Sequence, residues 1–166
     1  MNRITLLEQL RDITNTATGD IILPVKEQKG DAADSAKSRA ADIHLMRLPD
    51  SRAAQKKAPY IIHQLITGKD IQPQGENEMA SAVVRSIFCV YNDNEEEGSL
   101  MLVNLMERLR IHLLRQVVIG DQFQLDLQAG LESMIYPDDT APYYAGEMVS
   151  TWILPAIQRE VRTPWL

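Results

Sequence analysis

Few side chains of the kinds that carry catalysis occur in this chain, and those few lie far apart in the sequence. The histidines are His44, His63 and His112, and the single cysteine is Cys89. None of the histidines has a cysteine, a second histidine or a carboxylate at the spacing of a metal site. A hydrolase built on Cys89 and His63 stays open as an alternative, although both residues lie in apolar stretches that predict buried strands. We expect no catalytic residue, no metal or cofactor site and no enzyme activity.

Acidic residues cluster at two places, and neither cluster has the pattern of a site. Residues 92–97 (NDNEEE) lack the alternating ligands, the central glycine and the closing glutamate of a calcium-binding loop. Their position before a predicted helix suits the positive end of the helix dipole. Asp138 and Asp139 are neighbours in a proline-containing loop, where carboxylates usually point into water. The glycines are single and scattered, so no phosphate-binding loop is predicted.

Basic side chains gather on one arc of a predicted helix. Arg108, His112 and Arg115 are spaced three or four residues apart, so they share one side of the helix. Aromatic residues, which a nucleic-acid platform would carry for stacking, are not interleaved with them. A solvated face, charge pairing with a neighbouring subunit and a channel wall all explain the arc. We carry these three residues forward as candidate interface or channel positions.

The helix that bears this arc is predicted from Ser99 to Ile119, with Ser99 as N-cap and Gly120 as the left-handed stop. Its helical spacing places one apolar group on a single wide face: Leu102, Leu105, Met106, Leu109, Leu113 and Val117. A second apolar group lies on another side: Val103, Ile111, Leu114 and Val118. A helix that is apolar on two sides needs two partners. We expect a sheet on one side and another helix or a neighbouring subunit on the other, with deep burial in one core as the alternative.

The remaining pattern predicts one α+β domain over residues 1–166. A short amphipathic helix is predicted from Ile4 to Ile13, and the polar segment from Lys26 to Arg39 is predicted as a mobile loop that orders on assembly or is plainly disordered. Strands are predicted at 42–48, 58–68, 81–91, 122–128 and 147–154, and a short helix or turn at 129–135. The strand at 81–91 is apolar on both faces and is expected to be central and covered on both sides. Within 122–128, Phe123, Leu125 and Leu127 are expected to point inward. Short connections favour an antiparallel or mixed sheet with the helices against one face.

Composition limits the classes of function. The 166 residues suit a single domain with its own core, and no apolar run is long enough to cross a membrane. The N-terminal residues do not resemble a secretory signal, which indicates a cytoplasmic protein. The net charge of −6 disfavours a surface that holds nucleic acid by its phosphates. The same charge suits a surface past which DNA slides without binding.

Three segments of the chain form a pattern: MERLRIHLL at 106–114, LDLQAGLESMIYP at 125–137 and WILPAIQRE at 152–160. This pattern resembles that of the tail terminator or tail completion proteins of long-tailed bacteriophages. The likeness runs from about residue 58 to residue 160 and rests on element order with a few aromatic and proline positions. Its main parts are MERLRIHLL at 106–114, an "L..gle.miyp" segment within 125–137, and a loop at 142–146 that leads into "W.lP.i.re" at 152–160. The acidic turn before the helix also fits this pattern.

The resemblance implies a small subunit that closes into a ring, commonly of six copies, on the end of a tail tube. Such a ring stops tube growth and offers the surface to which the filled head docks. Its partners would be further copies of itself, the tube protein and the head-tail connector, with DNA passing through, in the virion tail and in the host cytoplasm during assembly. A neck, connector or baseplate subunit is the first alternative, and a small cytoplasmic enzyme or regulator is the second. We interpret three aromatic residues as loop-packing or core residues in preference to binding anchors: Tyr143, Tyr144 and Trp152.

Overall fold

The computed structural model describes residues 2–27, 38–50, 57–137 and 140–158. This part of the chain forms an α+β fold, as predicted, with two helices and nine strands. The helices are α1 (Arg3–Thr18) and α2 (Glu95–Gln116). The strands are β1 (Leu23–Pro24), β2 (Ser38–Arg39), β3 (Asp42–Leu45), β4 (Tyr60–Ile71), β5 (Met79–Tyr91), β6 (Val118–Ile119), β7 (Phe123–Leu125), β8 (Leu131–Ile135) and β9 (Tyr143–Leu154).

Seven of these strands form one mixed sheet. Its order is β3-β4-β5-β9-β7-β6, and β8 pairs with β9 on the same side as β7. Strands β3 and β4 are parallel, and every other pair in the sheet is antiparallel. Strands β1 and β2 form a separate antiparallel pair. Neither described helix is long and apolar enough to span a membrane.

Both helices pack against one face of the sheet, which we call the helix-covered face. Alternate strand residues point into this core, and the largest fully buried side chains among them include Ile61, Phe88 and Trp152. Helix α2 contributes Leu105 and Leu109 to the same core. Burying one such leucine contributes roughly 1.5–3 kcal/mol to the stability of the fold. The other face, the open face, carries only a small cluster at one end: Leu48, Ala58, Tyr60, Ile62, Cys89 and Tyr143.

The boundaries of α2 differ from the prediction at both ends. The N-cap is Asn94, whose side chain accepts a hydrogen bond from the Glu97 amide at 3.1 Å, so the three glutamates at 95–97 lie inside the first turn. Ser99 is inside the helix and was wrong as the cap. The helix ends at Gln116, and Val117 follows it with a positive φ of 56°. Gly120 also has a positive φ, of 55°, but it lies three residues beyond that end and is not the stop of the helix. Pairing of β6 with β7 draws Val118 and Ile119 into a hairpin, so the helix cannot continue to Ile119.

Helix α1 is longer than the predicted Ile4–Ile13 segment and runs to Thr18. Its second half is polar, yet Thr14 and Thr18 are buried because their hydroxyls donate to carbonyl oxygens one turn earlier, at 2.6 Å and 2.7 Å. At the other end, the Asn2 side chain accepts from the amides of Ile4 and Thr5. The bonds from Thr14 and Thr18 satisfy the buried hydroxyls. Burial of Ile13 and Ala17 in the core stabilises this half of the helix, whose residues have a weak intrinsic preference for it.

The predicted strands occur in the predicted order along the chain, but their ends differ from the prediction. Segment 129–135 was predicted as a short helix or turn and is the strand β8, because it finds a partner in β9. Strand β7 stops at Leu125, so Leu127 is 55% exposed and does not point inward. Strand β3 stops at Leu45, short of the predicted 48, whereas β4, β5 and β9 are longer than predicted.

Strand β5 is central, with β4 and β9 on its two sides, as predicted. The prediction that it is covered on both faces is wrong for most of its length. Its residues alternate between buried on the helix-covered face and partly exposed on the open face, except near Cys89. The predicted mobile loop at 26–39 falls mostly on residues 28–37, which lie outside the described residues, as do Asp138 and Asp139. Its last two residues form β2.

Candidate interaction surface

Helix α2 carries an exposed apolar row, which we call the helix stripe: Leu100, Val103, Ile111 and Leu114. These side chains are 38% to 62% exposed. At about 100° per residue they lie on the side of α2 opposite the buried residues Leu105 and Leu109. The row contains three of the four residues of the second apolar group predicted from the sequence, Val103, Ile111 and Leu114, and the chain's own described residues leave it uncovered. The fourth, Val118, lies beyond the end of α2 in β6. Large contiguous patches of exposed apolar side chains mark interaction sites on folded proteins, and we take this row as the candidate.

One ion pair interrupts the helix stripe. The Arg110 guanidinium donates two hydrogen bonds to the Glu107 carboxylate, at 2.8 Å and 2.7 Å. The hydrogen bonds from Arg110 lower the pKa of Glu107, and the same bonds raise the pKa of Arg110. Both side chains are well exposed, so this pair adds little to the stability of the fold. Its bidentate geometry holds a fixed polar feature in the middle of the apolar row.

The basic arc lies on the flank of α2 that faces α1. Arg108 donates to Asp20, just beyond the end of α1, at 2.8 Å, so its charge is paired within the chain. His112 is partly buried and Arg115 is exposed. Among the described residues, Arg115 forms no ion pair. The structure thus brings the three predicted residues onto one flank, with one of them occupied by an intrachain contact.

The predicted aromatic residues are packed within the fold. Trp152 is fully buried and its indole nitrogen donates to the Ser150 hydroxyl at 2.9 Å. Tyr143 belongs to the open-face cluster, where its ring lies 5.5 Å from that of Tyr91. The Tyr144 ring lies directly against Gly98 in the first turn of α2. These positions make the three aromatics parts of the packing between β9 and its neighbours.

A row of polar side chains that the sequence did not suggest crosses the open face. Arg85 donates to Gln64 at 2.8 Å and lies 3.9 Å from Glu147, which accepts a hydrogen bond from Tyr136 at 2.7 Å. Two effects raise the pKa of Tyr136 to about 12: partial burial is the larger, and the hydrogen bond to Glu147 is the next. The row joins β4, β5, β9 and the end of β8 through side chains that are far apart in sequence. Only strand register could have predicted it.

The alternative Cys89 and His63 pair does not form. His63 lies on the helix-covered face, whereas Cys89 belongs to the open-face cluster, so the sheet separates them. Burial raises the pKa of the Cys89 thiol to about 11, which leaves it protonated and a poor nucleophile at neutral pH. His63 instead bridges two hydroxyls. Its Nε2 lies 2.8 Å from the Thr14 hydroxyl and its Nδ1 lies 2.8 Å from the Ser86 hydroxyl.

The outer edge of β8 is a second uncovered surface. Met134 and Ile135 are 51% and 50% exposed, and β8 has a strand partner on one side only. Within the part of the chain that the structure describes, strand β3, at the opposite end of the sheet, is likewise paired on one side only. Free strand edges are sites at which another strand can add. The sequence pattern missed this feature because it assigned residues 129–135 to a helix or turn.

Within the described ranges, no three His, Cys, Asp or Glu side chains converge to hold a metal ion. No protein-family model matches the sequence, and no curated protein matches it either.

Proposed function

We propose that this protein is a structural subunit that assembles into a ring and caps the end of a bacteriophage tail tube. The observation that carries the proposal is the helix stripe, because an apolar row opposite the core side of α2 needs a partner that the described chain does not supply. The resemblance of the sequence to tail terminator proteins indicates which kind of assembly this would be. The edges of β3 and β8, each paired on one side among the described residues, supply further surface for contact between copies.

The charge of the chain supports the same proposal. With a net charge of −6, a ring of several copies is strongly acidic, and an acidic channel repels DNA phosphates. DNA would then pass through the ring without being held. The exposed Arg115 and the paired Arg108 would be local exceptions at a subunit contact or on the channel wall. A neck, connector or baseplate subunit is the alternative within the same kind of assembly.

The test is the mass of the purified protein, measured by light scattering on a size-exclusion column, with negative-stain images of the protein alone and mixed with tail tubes. A closed ring, or rings seen at tube ends only after mixing, is the expected result. Binding to portal rings in place of tubes would support the neck or connector alternative. A monomer that ignores both would contradict the proposal.

A further inference from the structure

Two strand edges of this chain are complementary to each other and lie at opposite ends of the same sheet. The five residues of β8 leave the amide and carbonyl groups of Leu131, Ser133 and Ile135 pointing away from β9, because Tyr136 donates to Ala145 and pairing alternates from there. On β3, Asp42 and Met46 donate to β4, so the backbone groups of Ile43 point outward. Neither set has a strand partner among the described residues.

The directions of the two edges allow them to pair. Strand β3 is parallel to β4, and the chain direction then reverses at β5, at β9 and again at β8. Strands β3 and β8 therefore run in opposite directions. If a second copy continues the sheet with its helices on the same side, its β3 meets β8 in the antiparallel sense. Such a contact joins different surfaces of two copies, which is the geometry that closes a ring.

The side chains select one register. Residues whose backbone amide and carbonyl groups point away from the sheet must lie opposite each other across the new contact. The allowed registers therefore differ from one another by steps of two residues. Placing Ile43 opposite Ser133 brings His44 opposite Glu132 on the open face and Leu45 opposite Leu131 on the helix-covered face. Sliding β3 by two residues in one direction places Asp42 opposite Glu132, where the like charges repel. Sliding it by two residues in the other direction places His44 opposite Met134, where no polar pair forms on the open face. The chosen register joins an apolar pair with a polar pair that can hydrogen-bond.

A second observation also selects a further copy of the chain as the occupant. Residues Leu131 and Ile135 lie on the helix-covered face, opposite Ser150 and Gly146, yet Ile135 is half exposed because α2 does not extend over β8. Helix α1 packs over β3 and β4. A neighbour that adds its β3 to the edge carries its own α1 over the uncovered side of β8. The same α1 would approach Val103 and Leu114 of the helix stripe.

The position of Val103 and Leu114 follows from two contacts of α2. Arg108 pairs with Asp20 beside α1, whereas Met106 lies against Gly146, which is the partner of Ile135 in β8. The flank with Met106 therefore faces β8. Val103 lies three residues before Met106, and Leu114 lies about 80° from it around the helix.

We propose that copies of this chain assemble by antiparallel pairing of β3 of one copy with β8 of the next, with His44 opposite Glu132. The inference rests on the proposed ring and specifies how its subunits join. Closure of the ring would leave no free edge at β3 or β8, which removes the two sites most open to unwanted strand addition.

The test is a double variant, His44→Cys with Glu132→Cys, in which a disulfide can form between β3 of one copy and β8 of the next. In a non-hydrogen-bonded antiparallel pair the two Cα atoms lie about 4.5 Å apart, within reach of a disulfide. Within one copy, β3 and β8 are separated by three strands, or about 19 Å at 4.8 Å per step, so any cross-link must join two copies. Native Cys89 is buried and will not compete.

The matched control is His44→Cys with Ser133→Cys, because Ser133 projects from the opposite face of β8. Under mild oxidation of assembled protein, we expect a ladder of covalent oligomers from the first variant and none from the control or from either single variant. Rings in negative-stain images without this ladder, or equal ladders from both variants, would overturn the edge pairing while leaving the proposed function intact. Absence of both rings and ladder, from the protein alone and after mixing with tail tubes, would overturn both proposals.

A charge exchange gives a readout that does not depend on cysteine. Glu132→Lys should raise the dissociation constant of the subunit contact by up to about fivefold, and His44→Glu added to it should restore the contact. Both positions lie on strand edges, so the isolated subunit should unfold as the wild type does. Failure of the second change to restore the ring would count against the proposed register.

Discussion

His63 and Ser86 lie directly opposite each other on β4 and β5, with Nδ1 of the ring 2.8 Å from the serine hydroxyl. Across the ring, Nε2 lies 2.8 Å from the hydroxyl of Thr14 on α1. That hydroxyl already donates to the Leu10 carbonyl, so Nε2 carries the proton and Nδ1 accepts from Ser86. A neutral histidine thus joins α1 to the centre of the sheet. Its full burial lowers its pKa from 6.5 to about 4.

This histidine makes the fold sensitive to acid. The folded-state pKa lies below the unfolded value, so the unfolded chain binds more protons between pH 6.5 and 4. Stability should therefore fall as pH falls through this window, by about 3 kcal/mol at its lower end. Urea unfolding at a series of pH values measures this decrease in the free energy of unfolding. His63→Leu should lower stability at neutral pH by about 1–3 kcal/mol because it strands the Ser86 hydroxyl. The variant's pH curve should also be flatter than that of the wild type, and parallel curves would contradict the assignment.

Gly98 is needed for the contact between α2 and β9. A Cβ at this position would lie 2.5 Å from Cδ2 of Tyr144, too close for the ring to remain in place. Gly98→Ala should therefore destabilise the protein by about 1–3 kcal/mol, although alanine is the better helix former by about 1 kcal/mol. Thermal unfolding of Gly98→Ala, Tyr144→Ala and the double variant forms the measurement. Gly98→Ala should lower the melting temperature much less in the Tyr144→Ala background, where the tyrosine ring is absent. An equal decrease in both backgrounds would exclude the clash.

The helix stripe should matter for assembly and little for folding. Replacing Leu100, Val103, Ile111 and Leu114 with serine should abolish the ring seen by light scattering, because these side chains need an apolar partner. The free energy of unfolding of the isolated subunit should change by about 2 kcal/mol or less in total, at about 0.5 kcal/mol per surface substitution. Leu105→Ala is the matched control, since its buried side chain should cost about 2–5 kcal/mol in folding. A serine variant that still forms rings would remove the stripe from the interface.

Arg108 and Arg115 test the basic arc. Replacing both with glutamate should weaken the ring if the arc faces a neighbouring subunit, and light scattering measures the effect. Arg108 also pairs with Asp20, so its substitution has an intrachain effect that must be separated. Combining Arg108→Glu with Asp20→Arg re-forms that pair with exchanged charges. Recovery of the ring by this exchange would assign Arg108 to the fold alone, whereas continued loss would place it at the interface. An unchanged oligomer in the double glutamate variant would exclude the arc from subunit contacts.

The sequence was sufficient for the features that depend on local periodicity. The burial of Leu102, Leu105, Met106, Leu109 and Leu113 follows from helical spacing, and the exposed second apolar group of α2 follows from the same count. The α+β class followed from the order of helical and alternating segments. Each of these features is decided by residues within one or two helical turns or within one strand, so a short window contains the information.

Only the tertiary structure decided the features that depend on pairing. Segment 129–135 is a strand because β9 lies beside it, and α2 ends at Gln116 because β6 pairs with β7. The placement of His63 and Cys89 on opposite faces, and the polar row through Arg85 and Glu147, follow from strand register. Strand pairing joins residues far apart in the chain, and the preference of a segment for a strand depends on the neighbour it meets. The sequence by itself therefore predicted that α2 is apolar on two sides, and the fold decided which of these sides is buried and which strand edges remain for a partner.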